Sequence, residues 1–105
     1  MTNIKFEYLF RDENNYKEYG EVIYSNPSKL SLKLIKKHIK ENLIEDLWFY
    51  PDNWEIPKFS FHRISNLGTN KHLWYEFVAI TETKRDITSI AKIEELIVNV
   101  KNRLT

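Results

Sequence analysis

The 105-residue sequence contains no cysteine and only two glycines, and its charge is nearly balanced, with 16 Lys and Arg against 15 Asp and Glu. Without cysteine there is no disulfide, no thiol nucleophile and no cysteine-bearing zinc site. Two glycines exclude a glycine-rich phosphate loop, because close backbone approach to a phosphate needs residues without a Cβ. A net charge of +1 gives the whole molecule no strong pull toward nucleic acid or anionic lipid. No apolar run approaches the ~18 residues of a membrane span. Lys5 and Glu7 interrupt the N-terminal stretch MTNIKFEYLFRDE, which therefore does not read as a secretory leader. No serine lies in a glycine-flanked nucleophile elbow, and spacing suggests no triad. The expectation is a cytoplasmic protein away from membranes, not an enzyme, with no catalytic residue, metal or cofactor. At this length residues 1–105 form a single α+β domain, burying roughly two-thirds of the unfolded surface.

What the chain does have is aromatic residues, 14% of the total. Ile4, Phe6, Tyr8 and Phe10 alternate with Lys5, Glu7, Leu9 and Arg11, the period-two pattern of a half-buried strand. The polar stretch DENNYKEYG reads as a long hairpin connection to a second strand, Glu21 to Tyr24. Ser28 and Ser31 are candidate N-caps for a helix running to about Ile44, whose apolar face is Leu32, Ile35, Ile39 and Leu43. LWFYPDNWEIP has no regular period and reads as irregular. Lys58 to Ile64 alternates again as a third strand. His72 to Thr83, apolar on both faces except at Glu76, reads as a fourth strand at the centre of the sheet. Ile87, Ile90, Ile93, Ile97, Val100 and Leu104 trace a second helical stripe, capped by Asp86, Thr88 or Ser89. The order ββαββα predicts a two-layer α+β sandwich: a four-stranded, mostly antiparallel sheet with two helices on one face.

Three surfaces compete for function. The segment from Glu41 to Pro57 carries five acids (Glu41, Glu45, Asp46, Asp52 and Glu55), no Lys or Arg, and the aromatics Trp48, Phe49, Tyr50 and Trp54. Aromatics supply rigid contact area and acids supply steering and register, which is the chemistry of a recognition loop for a protein partner with a basic surface. Trp48, Tyr50 and Trp54 are the expected anchors, with Asp46, Asp52 and Glu55 as the steering charges. A protein of this kind would act as an immunity- or antitoxin-like inhibitor of a basic enzyme.

The alternative is nucleic acid. Lys33, Lys36, Lys37 and Lys40 lie within about 100° of arc on the first helix, a line of charge suited to phosphates. Their placement before Glu41, Glu45 and Asp46 reverses the order that the helix dipole favours. The third reading is a carboxylate–histidine group of Glu7, His62 and Glu76 on the sheet's second face, whose convergence depends on strand register. His38 and His72 read as surface residues. An exposed edge strand leaves room for oligomer formation.

At NYKEYGEV (Asn15 to Val22), WEIP (Trp54 to Pro57) and WYEF (Trp74 to Phe77) the chain resembles a group of short bacterial α+β proteins with no assigned function. These motifs are aromatic and structural, and the resemblance implies no active-site residues.

Overall fold

Alternation along the first strand places Ile4, Phe6 and Tyr8 on one face, and in the computed structural model all three are buried in β1 (Asn3–Arg11). The structure describes residues 2–11, 17–56 and 75–101. β2 (Lys17–Tyr24) pairs antiparallel with β1 in unbroken register from Ile4↔Tyr24 to Arg11↔Lys17. The strand therefore begins four residues before Glu21, within what reads locally as loop. Lys17, Glu18 and Gly20 have little strand preference of their own, but pairing with β1, which satisfies the backbone groups of Glu18 and Gly20, outweighs that weak prior.

The approach to the first helix is shaped by Asn26. Its buried side chain accepts from the Leu30 N–H and donates to the Leu30 carbonyl, both at 3.0 Å. α1 (Leu32–Glu41) then starts at Ser31, whose hydroxyl accepts from the Leu34 N–H at 3.1 Å. The helix ends three residues before Ile44. Asn42 stops it by donating its N–H to the Ile39 carbonyl (3.1 Å) and its side-chain amide to the His38 carbonyl (2.8 Å).

Two short elements follow in the segment read as irregular: β3 (Trp48–Phe49) and the single turn α2 (Pro51–Trp54). β3 pairs antiparallel with β4 (Tyr75–Thr83), through Trp48↔Glu76 and Phe49↔Tyr75. The expected strand Lys58–Ile64, together with His62 and His72, lies outside the described residues. Among the described residues the sheet has four antiparallel strands in the order β2-β1-β4-β3. β4 is internal, as its apolar character requires. Its register against β1 slips between Glu7↔Ala79 and Tyr8↔Phe77, leaving Val78 as an extra residue. This bulge switches the strand's phase, so that both Ile80 and Phe77 lie opposite core residues of β1.

The last helix, α3 (Ile93–Lys101), starts later than its isoleucine stripe suggests. Ile87 and Ile90 are exposed in the connector that precedes it, and Ile90 is fully so at 103%. Thr88 caps a strand instead of a helix. Its hydroxyl accepts from the Ile23 N–H, and its own N–H donates to the Ile23 carbonyl, both at 2.9 Å. The connector is also tied to β1, where the Asn3 amide donates to the Arg85 carbonyl at 2.8 Å.

One core gathers these elements. Ile4, Phe6, Tyr8, Val22, Tyr24, Phe49, Tyr75 and Ile80 from the sheet form a single cluster with Ile35 and Ile39 of α1 and Ile93, Leu96, Ile97 and Val100 of α3. Each fully buried side chain of this size contributes roughly 1.5–3 kcal/mol relative to exposure. No helix among the described residues is long and apolar enough to cross a membrane.

Candidate functional site

The acidic–aromatic segment is built as a tight turn pinned to the sheet. After α1 the chain reverses at Ile44–Leu47, where Ile44 and Trp48 exchange backbone hydrogen bonds (2.7 and 2.9 Å) and the Leu47 N–H donates to the Ile44 carbonyl (3.0 Å). Glu45 and Asp46 occupy the tip, with φ of 54° and 62°. Two successive left-handed residues are the requirement of a type I′ turn, normally met by Asn and Gly. In a chain with two glycines, acids carry that conformation. The Leu47 carbonyl then accepts from the Phe77 N–H at 2.9 Å, fastening the turn to β4. A third left-handed acid, Glu55 (φ 55°), closes the segment, next to an Ile56 N–H to Pro51 carbonyl bond of 2.9 Å.

The side chains divide sharply. Glu45, Asp46 and Glu55 are exposed, and Leu47 beside them is 38% exposed. Trp48 and Tyr50 are half-buried. Phe49 and Trp54 are in the core, Trp54 at 3% exposure. Trp54 packs edge-on to Phe6 (6.1 Å) and stacks on Phe49 (4.6 Å, 12°). The expectation of Trp54 as an exposed anchor is thus corrected: α2 turns its indole inward, where burial of that surface outweighs display. Asp52 sits in α2, and its side chain lies outside the described part of the structure.

Trp48 has a local role that the sequence did not suggest. Glu76 on β4 accepts two hydrogen bonds from Arg11, from Nε at 2.9 Å and Nη2 at 3.2 Å, and the Trp48 side chain donates another. The Arg11 hydrogen bond holds the Glu76 carboxyl below the usual carboxylate value, with Trp48 adding to the effect and partial burial opposing it. The only signal for this cluster was the isolation of Glu76 within an apolar strand. Glu7 lies on the same face but contacts Lys5 at 3.5 Å. A carboxylate stabilised as the anion is the reverse of what a general acid requires. His62, the third member of that reading, lies outside the described residues, and among those described no three His, Cys, Asp or Glu residues group as metal ligands.

Lys33, Lys36, Lys37 and Lys40 are all exposed on α1, opposite its buried Ile35 and Ile39. Lys37 approaches Glu41 at 4.0 Å, so the basic line ends against a negative charge. α1 carries no acid in its first turn, whereas α3 follows the dipole, with Glu94 and Glu95 at its start and Lys101 at its end. His38 is half-buried. No protein family, curated protein or solved structure matches the chain.

Proposed function

We propose that this protein is a small cytoplasmic protein-binding module whose docking surface is the acidic turn after α1. On this reading the fold is a two-layer sandwich, with α1 and α3 together on the core face of the sheet and the turn projecting beside them. The observation that carries it is the tip itself: two exposed acids in successive left-handed conformations next to an exposed Leu47. Non-glycine residues in this region cost about 1 kcal/mol or more each, a cost that cores and caps elsewhere offset. A rigid tip loses little entropy on docking, and its charge steers a basic surface toward it. Glu45, Asp46 and Glu55 supply the charge, with Asp52 alongside in sequence. Leu47 and the exposed margins of Trp48 and Tyr50 supply the contact. The partner is a protein with a basic cleft, and blocking that cleft is inhibition of the immunity or antitoxin kind.

Affinity capture from the source cell with the wild type and with Asp46→Lys tests this. The expected result is a basic protein retained by the wild type and lost from Asp46→Lys. Equal retention by both variants overturns the reading.

The exposure of all four α1 lysines favours nucleic acid as the second reading. Its test is a salt titration of RNA and DNA binding, in which each phosphate contact contributes roughly −0.7 to −0.9 to the slope of log K against log salt. Binding at low salt that disappears in Lys33→Glu and Lys36→Glu would support it. Absence of binding at low salt would remove it.

A further inference from the structure

Among the described residues β2 ends the sheet, and its outer edge is only partly covered. The connector to α3 occupies the upper part: Thr88 and Ser89 bond to the Ile23 backbone, and the Ile93 N–H donates to the Ser25 carbonyl. Because the Ile23 N–H and carbonyl both point outward, those of Glu21, Tyr19 and Lys17 do too, by the two-residue alternation of an unbroken strand. Among the described residues these outward groups have no backbone partner. The three side chains are exposed on one face, as Lys, Tyr and Glu.

We infer that a second copy of this chain docks here, β2 against β2 in antiparallel register about Tyr19, joining the two sheets into one. The sequence of this edge is self-complementary under a two-fold axis. Lys17 of one copy falls opposite Glu21 of the other, Tyr19 falls opposite Tyr19, and Glu18 falls opposite Gly20. About six backbone hydrogen bonds form, two for each of the three outward-facing pairs. The opposed Lys and Glu add cross-strand attraction at both ends, and the tyrosines pack at the centre. The same charges reject the alternatives. A parallel alignment sets Lys17 against Lys17 and Glu21 against Glu21. A two-residue slip either way sets Tyr19 against a charged residue, Lys17 or Glu21, and the slip toward Ile23 also runs into the groups already taken by Thr88. Charged edge residues ordinarily discourage strand addition; here their order admits one register. Glu21 also holds Arg85, which keeps its carboxylate fixed on this face.

Sedimentation equilibrium of the full chain across a concentration series tests this. The expected mass rises from the 12.7 kDa of one chain toward twice that value. Tyr19→Pro removes an outward N–H and the central ring but no hydrogen bond to β1, so β1–β2 pairing and the far-UV circular dichroism should persist while association weakens about tenfold or more. Lys17→Glu and Glu21→Lys should each remain at one chain's mass alone and pair one to one when mixed, because each then faces the opposite charge. A wild type that stays at one chain's mass up to about 1 mM overturns the proposal. So does unchanged association in Tyr19→Pro, or folded single variants that fail to pair on mixing.

Discussion

Phe49 stacks on Trp54 with ring centroids 4.6 Å apart and planes only 12° from parallel. The pair lies beneath Phe6, whose ring meets Phe49 edge-on at 5.6 Å. This packing turns half of an apparently exposed aromatic run into the floor of the core. Its thermodynamic consequence is direct. Trp54→Ala should lower unfolding stability by about 3–5 kcal/mol. Urea unfolding followed by circular dichroism measures it, and a loss below about 1 kcal/mol would contradict this burial.

The turn at Glu45 and Asp46 makes an opposing prediction for stability and function. Replacing Glu45 by Asn and Asp46 by Gly supplies the residues a type I′ turn prefers. Stability should rise by about 1 kcal/mol, while capture of a basic partner should fall. Thermal unfolding and binding measured on the same preparation separate the two effects. Stabilisation with unchanged binding would remove these acids from the interface.

Glu76 gives an acid-side prediction. Its folded pKa is depressed by Arg11, from an ordinary 4.5. The resulting stability is fully present above that unfolded value and is lost as pH falls through the lower folded value. Glu76→Gln should cost roughly 1 kcal/mol at neutral pH, the scale of a partly exposed, hydrogen-bonded ion pair. The difference from wild type should shrink steadily below pH 4.5. Unfolding curves over an acid pH series check this, and a constant difference would contradict it.

Tyr8 gives the alkaline counterpart. Burial pushes its hydroxyl up from 10.0 to about 12, and burial raises Tyr24 as well. The folded state keeps these protons longer than the unfolded chain does. Stability is therefore undiminished below pH 10 and lost as pH rises toward the folded values. Tyr8→Phe should flatten that loss. Tyrosinate absorbance recorded together with unfolding above pH 10 is the measurement.

The elements that carry their own period were legible before folding was considered. Ile4–Phe10 alternates and is β1; Leu32, Ile35 and Ile39 recur along α1; the apolar run ending at Thr83 is the internal strand β4. These are statements about one face of one element, and local spacing suffices for them. It also sufficed for the lysines of α1, whose exposure follows from lying opposite Ile35 and Ile39.

The rest depended on contacts between elements. β3 is two residues long, too short to show a period, and exists because Tyr75 and Glu76 offer it a partner. Lys17–Gly20 is strand because β1 is beside it, and the Val78 bulge is a relation between two strands that neither spells out alone. The fate of the aromatics depended most on packing. Trp48, Tyr50 and Trp54 look equivalent in sequence, yet α2 sends Trp54 inward and leaves the other two half-buried. Hydrophobic burial has no direction of its own; which of several neighbouring aromatics it takes is decided by the backbone path and by the partner surface waiting for it.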